Sequence, residues 1–382
     1  MIVGYVGYVG STNCKKNKRL DKMKIAMIGH KRIPGREGGI EVVVEELAIR
    51  MASAGNEVVA YNRSKKNYKS PKVYRGVKLV DVPTIEKKST DAVVYSFFAT
   101  IRALFGNYDV IHYHAVGPSA FIFIPHFFRK RVIVTVHGLN YKTPKWKGFG
   151  AKFLKFGEKM TAKYADEIIV LSHEQQKYFK RKYNRNTIYI PNGISIEQKE
   201  EPDIILKKYS VKKYEYILFL SRVVPGKGLE YLLDAYREID SGLKLIVAGT
   251  SEYLPEFRKM IEKKAALDNR VEMVGFVSGK ELIELYSNAK LFIFPSEAEG
   301  MPMCLLEAMS FDCPCLVSDI PENLEVGKGY VESFKSKDIN DLKEKLKMCL
   351  ARENNVSTRT YVETNYSWET VVNQTLDLYM EK

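Results

Sequence analysis

KLFIFPSEAEGMPMCLLEAMSFDCPCLVSD, residues 290–319, is the stretch from which the rest of the chain is read. Leu291–Phe294 is a short apolar run ending in a turn, the pattern of a buried strand. A helix over about Met303–Ser310 and a second apolar strand, Cys313–Val317, follow it. Two carboxylates bracket the turn and the helix, Glu299 and Glu307, with seven residues between them. Glu299 falls at the carboxyl end of the strand, where open α/β sheets take their ligands. Glu307 lies one turn inside the helix, on the order of 6 Å further along its axis. Between them Gly300 admits close backbone approach, Pro302 suits a helix start, and the first helical N–H groups are expected to lack intrahelical partners. Such a helix end, with its partial positive charge, is an anion site, and a diphosphate is the common anion there. One carboxylate on each side could then grip a pair of hydroxyls, a sugar's on one side and a ribose's on the other. The competing interpretation makes Glu299 a turn residue and Glu307 part of a solvated helix face.

PSEAEGMPMCLLEAM resembles the E-x7-E signature of retaining glycosyltransferases of the GT-B fold, in particular the large family 4 group. The resemblance implies that Glu299 holds the donor sugar and Glu307 the nucleotide ribose. Gly300, Met301 and Met303 would belong to the same donor site.

Length and composition are compatible with this. At 382 residues and 43.8 kDa the chain exceeds one ordinary core, so two domains are expected. With 45% hydrophobic and 12% aromatic residues it is globular rather than disordered. Cys14, Cys304, Cys313, Cys315 and Cys349 form no CxxC and no histidine-interleaved cluster, so neither a metal site nor a cofactor is expected. An odd cysteine count in a chain this large points to a reducing compartment. The longest apolar run, Ala120–Phe128, is broken by Pro125 and His126 and falls short of the roughly 20 residues of a membrane-spanning helix.

Charge is divided unevenly. Residues 1–196 carry 35 Lys+Arg against 14 Asp+Glu, whereas the remainder carries 25 against 32, within an overall net charge of +14. A basic half joined to an acidic half is a statement about partners. Nucleic acid, an anionic membrane surface or phosphate-bearing lipid acceptor, and a merely solubilising surface are the alternatives. No RNP-like aromatics or helix-turn-helix accompany the charge, so the expected partner is the membrane surface and not nucleic acid. The setting is then cytoplasmic, with peripheral attachment to the inner face of the plasma membrane as an option.

Residues 1–22 do not read as part of the fold and are expected to form a mobile extension, with Met23 opening the first domain. Lys24–Gly29 is a strand and Ile40–Ser53 an amphipathic helix. Between them HKRIPGREGG places Gly38 and Gly39 at the helix start, where backbone amides could again meet phosphate. The segment is not G-x-G-x-x-G, so no dinucleotide fingerprint is present. RIPGREGGIE resembles RGIPARYGGFE of a rhamnosyltransferase-like subset, with His30-Lys31 and Arg36-Glu37 departing from it. Strands follow at Glu57–Asn62 and Val77–Val82, with the basic segment Arg63–Arg75 read as a loop. The helix Val93–Phe105 carries apolar residues on more than one face, which means either core or a face for lipid. In the strand Tyr108–His114, His112 and His114 share one sheet face. They are either satisfied, cleft-lining histidines or part of a metal site that lacks a third ligand. A helix over Ser119–Arg129 and the strand Val132–Val136 come next. TVHG, Thr135–Gly138, resembles the family segment whose histidine adjoins the donor sugar and the reacting carbon, which implies that role for His137. Tyr141–Gly148 reads as an aromatic and basic loop suited to an acceptor. The helix Gly150–Tyr164 repeats lysine at 152, 155, 159 and 163, a stripe that either meets acidic lipid or is solvated. Strands Glu167–Leu171 and Thr187–Ile190 complete the first sheet.

IPNGI, Ile190–Ile194, and the polar run after it mark a boundary, giving a first domain over 23–195 and a second over 196–365. Strand–helix alternation restarts at Tyr216 and predicts a parallel, doubly wound sheet. The fold class expected is therefore α/β, two Rossmann-like domains facing a cleft, which in the resemblance is GT-B. SRVVPGKGLE resembles the family's GR-x3-KG segment, implying that Arg222 and Lys227 hold the donor phosphates. A leaving nucleoside diphosphate gains charge as its bond to the sugar breaks, and some cation must stabilise it. GFVSGKEL matches the segment whose backbone reads the base, which makes Phe276 and Val277 candidates. Residues 366–382 resemble the closing helix that crosses back to the first domain, anchored by Trp368.

The ordered set REGG, TVHG, PNG, R-x4-K and E-x7-E thus implies a metal-independent, retaining transferase. It would move a hexose or deoxyhexose from a nucleotide-diphosphate sugar to a glycan or lipid-linked glycan in bacterial surface polysaccharide synthesis. A sugar-nucleotide epimerase of the same architecture and a non-enzymatic polyanion-binding protein are the alternatives.

Overall fold

A computed structural model describes residues 22–35, 38–66, 68–85, 90–138, 148–250, 254–353 and 355–381. The extension 1–22 apart from Lys22, the Arg36-Glu37 pair and the loop 141–147 lie outside these residues. The first sheet comprises β1 Lys24–Ile28, β2 Glu57–Arg63, β3 Val73–Tyr74, β4 Val77–Val82, β5 Val110–His114, β6 Val132–Val136, β7 Glu167–Val170 and β8 Ile188–Tyr189. Their spatial order is β3-β4-β2-β1-β5-β6-β7-β8. Every pairing is parallel except β3 with β4, where Val73 and Tyr74 oppose Lys78 and Val77. That short antiparallel edge lies inside the segment expected to be a loop. The second sheet comprises β9 Tyr216–Leu220, β10 Lys244–Ala248, β11 Val271–Gly275, β12 Leu291–Phe294, β13 Cys315–Ser318 and β14 Glu332–Phe334. Its order is β11-β10-β9-β12-β13-β14, parallel throughout. Near-continuous apolar strands such as YILFL and LFIF are what a parallel sheet covered on both faces requires.

Each sheet is sealed by a core on either face. The chain's closing helix, Trp368–Met380, does not pack on the second domain. Val371, Val372, Leu376 and Leu378 join the first domain's core beside Val43 and Leu47, each buried side chain stabilising by roughly 1.5–3 kcal/mol. Ser367 caps this helix by accepting from the Glu369 and Thr370 amides.

Four departures from the sequence expectations have local causes. The helix expected over Ser119–Arg129 breaks into a 3₁₀ turn, Pro118–Phe121, and a short helix, Phe123–Phe127, because Pro125 has no amide to return to Phe121. β13 starts at Cys315 rather than Cys313, after Pro314, whose carbonyl accepts from the Phe292 amide. The helix His173–Tyr183, capped by Ser172, buries only Gln175 and Phe179 and so leaves almost no apolar periodicity to read. Directly after the polar run 197–203 a short helix not expected from the sequence, Ile204–Tyr209, forms with its Ile205 fully buried.

Candidate functional site

In an open sheet whose strand order reverses, ligands bind beyond the carboxyl ends of the strands flanking the reversal. The second sheet reverses between β9 and β12, and two of the expected site residues meet there. The turn after β9 carries Lys227; the turn after β12 carries Glu299. Gly228 sits at φ +74°, and a Cβ on it would lie 2.0 Å from the Pro295 carbonyl oxygen, so glycine is what lets the two turns touch. Lys227 Nζ donates to Glu299 Oε1, and Ser296 Oγ donates to the same oxygen. Both charged side chains are largely withdrawn from solvent, at 15% and 12% exposure. Arg222 is exposed, with no side-chain partner among the described residues. Glu307 faces inward from the helix Met303–Ser310, where Tyr286 donates to its Oε2 at 2.8 Å. Burial, and then the Glu307 carboxylate, push the Tyr286 phenol well above its ordinary value, so it stays a donor.

The first sheet reverses between β1 and β5, and its carboxyl ends present histidines. His30 follows β1, His114 ends β5 and His137 follows β6. His114 Nδ1 and His137 Nε2 are 3.1 Å apart, one of them donating, with the rings stacked at 5.4 Å between centroids. His30 Nε2 donates to Asn62 Oδ1 at 3.0 Å. Burial lowers His30 and His137 to about 4, and holds His114 well below the ordinary histidine value. The imidazoles on this side of the crevice are therefore neutral, with His137 the partly exposed one of the three. His112 turns its two ring nitrogens to the hydroxyls of Tyr379 and Thr135, at 2.5 and 2.7 Å. Between satisfied or cleft-lining histidines and a metal site, the geometry favours the first: His112 is satisfied by two hydroxyls and His114 meets His137. His30 was not among the expected site residues; its place directly after the first strand of a doubly wound sheet is the signal that could have found it.

The two sides touch. A Cβ built on Gly300 would lie 1.7 Å from the His137 carbonyl oxygen. Gln175 Nε2 donates to the Gly300 carbonyl at 3.3 Å. Asn192, of the PNG turn, gives its backbone amide to Met301 Sδ at 3.1 Å and its side-chain amide to Met303 Sδ at 3.5 Å. The side chains of Met301 and Met303 are thus spent on closing the crevice.

Two anion-site expectations need correction. The amides of Met303 and Leu305 are not free, because they turn back onto the carbonyls of Met301 and Pro302. At the first domain's Gly-Gly turn, Glu41 Oε1 accepts from the Lys31 amide and Glu45 Oε2 from the Gly35 amide, both at 3.1 Å. That loop's own carboxylates thereby occupy amides a phosphate would need, although Gly38 and Gly39 lie at the helix start as the sequence implies. Beyond β11, Phe276 is 69% exposed while the Val277 side chain is buried in the core, so any base contact at Val277 falls to its backbone.

Residues 37–198 match the family model described as Glycosyltransferase Family 4, and residues 201–365 match Glycosyl transferases group 1. An uncharacterized glycosyltransferase of Methanocaldococcus jannaschii is 27% identical over 369 residues, covering 90% of this chain and 95% of its own. A UDP-Gal:alpha-D-GlcNAc-diphosphoundecaprenol alpha-1,3-galactosyltransferase of Escherichia coli is 24% identical over 243 residues, 60% of this chain and 62% of its own. Among solved structures, the Anabaena protein HepE in complex with UDP-glucose superposes with a TM-score of 0.76 at 18% identity, covering 93% of this chain and 99% of its own, a likeness of fold. With the two family models dividing at the boundary between the sheets, the chain belongs to the group 1 glycosyltransferases of the GT-B fold.

Proposed function

We propose that the protein transfers a hexose or deoxyhexose, with retention and without a metal, from a nucleotide-diphosphate sugar to a lipid-linked glycan in bacterial surface polysaccharide synthesis. The observation that carries this reading is the Lys227–Glu299 pair at one reversal point, set against His137 across a crevice that Gly300 closes. Before donor binds, Glu299 neutralises Lys227. A diphosphate arriving beside Lys227 and Arg222 takes over that charge, and Glu299 is released to the sugar hydroxyls. Glu307, held by Tyr286, receives the ribose hydroxyls. No carboxylate is poised opposite Glu299 as a nucleophile among the described residues, which favours attack on the same face as departure. The bond from the anomeric carbon to the phosphate oxygen breaks, the acceptor oxygen bonds to that carbon, and the departing phosphate takes the acceptor's proton. Lys227 and Arg222 stabilise the charge that develops on the phosphate. His137 is neutral at pH 7 and can orient a sugar hydroxyl without competing for the diphosphate.

The relative acting on a diphosphoundecaprenol acceptor and the basic first half both support a lipid-linked acceptor at the inner face of the membrane. The test is a thermal-shift panel of nucleotide sugars, UDP-hexoses first, followed by transfer to undecaprenyl-diphosphate glycans in EDTA with the product anomer read by NMR. Inverted product, loss of turnover in EDTA, or a donor epimer formed without acceptor would each overturn the reading.

A further inference from the structure

The helix Asp91–Leu104 is built inside out. Its buried side holds Tyr95, Ser96, Ala99, Thr100 and Ala103, with Ser96 and Thr100 spending their hydroxyls on the carbonyls one turn back. Its outer side carries Phe97, Phe98 and, just past the end, Phe105, which is 82% exposed. Two neighbouring helices continue this apolar face. Phe127 and Phe128 end the helix Phe123–Phe127 at 69% and 65% exposure, and Phe149 and Phe156 stand out from the helix Gly148–Tyr164 at 64% and 45%. The rings join across the helices: Phe97 meets Phe121, Phe121 meets Phe153, and Phe153 stacks with Phe149. Isolated exposed apolar residues need no explanation, but a contiguous aromatic face does.

The charge on this face has one sign. Arg102, Arg129, Lys152, Lys159 and Lys163 are exposed among the phenylalanines. Over residues 91–105, 118–130 and 148–164 the acidic residues are Asp91 and Glu158. Asp91 pairs with Arg63, and Glu158 is fully buried, accepting from Tyr178, Lys182 and Tyr183. A two-fold dimer through this face would set like charges against each other without an acid to meet them. A surface of anionic headgroups over hydrocarbon satisfies both features together: cations in the headgroup layer, rings in the layer beneath.

We propose that this three-helix face seats the protein on an anionic lipid bilayer, with Phe98, Phe105, Phe127, Phe128, Phe149 and Phe156 entering the interface. It lies one helix from the crevice. The helix Gly148–Tyr164 packs directly on the segment following His114, close enough that a Cβ on Gly157 would lie 1.9 Å from the Val116 carbonyl oxygen. Seating therefore brings the histidine side of the crevice toward the plane in which a lipid-linked acceptor travels. The purpose rests on the function proposed above; the binding itself does not.

The test is co-sedimentation of the full chain with phosphatidylglycerol–phosphatidylcholine vesicles and with phosphatidylcholine alone, for the native protein, F98S/F105S/F128S and K152E/K159E. Native protein is expected on the anionic vesicles only. The lysine variant should bind at least about tenfold more weakly, since each cation near such a surface contributes about 1 kcal/mol and 1.4 kcal/mol is tenfold. The phenylalanine variant should lose binding at physiological salt. Both should keep the native melting shift with UDP-sugars, so failure here leaves the transferase reading standing. Undiminished vesicle binding in either variant overturns the proposal, as does equal binding to neutral vesicles. Two further results overturn it: a native dimer that the phenylalanine changes dissociate, and preference for a single-stranded oligonucleotide lost in the same variants.

Discussion

Replacing Gly300 by alanine should separate the two sides of the crevice and little else. The added Cβ would stand 1.7 Å from the His137 carbonyl oxygen and 2.8 Å from its carbon, both backbone atoms with no rotamer to swing aside. Side-chain Cβ atoms do not approach other heavy atoms closer than 3.0 Å, so the loops must part by at least about 1.3 Å. A displacement of about 1 Å at reacting atoms costs on the order of 10²-fold in rate, or about 2.7 kcal/mol of transition-state stabilisation. Lys227, Glu299, Tyr286 and Glu307 all lie in the second domain and keep their mutual contacts, so donor affinity should survive. The expected result is a fall of about a hundredfold in kcat/KM for transfer, with donor Kd by calorimetry changed less than threefold. Gly242→Ala is the control, because a Cβ there meets nothing within 4 Å. Transfer by Gly300→Ala within threefold of native would refute the claim that the Gly300–His137 approach sets the reacting geometry.

Other perturbations address the remaining parts. Glu299→Ala should abolish transfer while melting stays cooperative; near-native turnover would remove Glu299 from the donor site. Lys227→Met strands a carboxylate withdrawn from solvent and should destabilise by up to about 3–5 kcal/mol in urea unfolding, with part of that recovered in Lys227→Met/Glu299→Gln. Folding holds His30 and His112 neutral down to about 4 and about 3, whereas the unfolded chain protonates near 6.5. Stability is therefore full above about pH 6.5 and drains as pH falls towards 4, by about 1.4 kcal/mol per pH unit for each imidazole; a melting temperature that holds or rises over that interval would contradict their burial. Trp368→Ala should cost roughly 3–5 kcal/mol, because the ring is 5% exposed in the first domain's core, and Trp368→Phe should recover much of it.

What could be read in advance was what a single segment encodes. The parallel strands announced themselves as apolar runs, and the position of Glu299 followed from a turn between such a strand and a helix. Pairings formed by the fold were invisible. Nothing local to SRVVPGKG shows that Lys227 ends against a residue 72 positions later, and nothing in the PNG turn shows that Asn192 is met by the sulfurs of Met301 and Met303. The helix His173–Tyr183 escaped because only Gln175 and Phe179 are fully buried along it, and the break at Ile122 because the helical pattern over Ser119–Arg129 does not show the amide that Pro125 lacks. The aromatic helix after Thr90 was left between core and lipid face for a related reason. Periodicity gives the angle between stripes, and only the packed structure says that Ser96 and Thr100 face in while Phe97 and Phe98 face out.

The electrostatics of the crevice follow from where each domain keeps its charge. The first domain is strongly basic, yet at its reversal point it packs imidazoles that burial keeps neutral, while Arg102, Arg129, Lys152, Lys159 and Lys163 stand exposed on its outer helices. The second domain is net acidic, yet it supplies Arg222 and Lys227 at its own reversal point. On the function proposed above, a donor diphosphate would be held by Arg222 and Lys227 on the second domain's side, with its anomeric carbon towards the neutral His137 on the other. Were His114 or His137 charged, a second cationic wall would compete for the phosphates and hold the leaving group against the acceptor's path. Desolvation of these histidines, which costs stability in acid, would on that proposal serve the orientation of the donor. In His114→Lys, whose ammonium would stand beside His137, nucleotide diphosphate should bind more tightly while turnover falls; unchanged product affinity in a folded variant would break the link between neutral imidazoles and donor orientation.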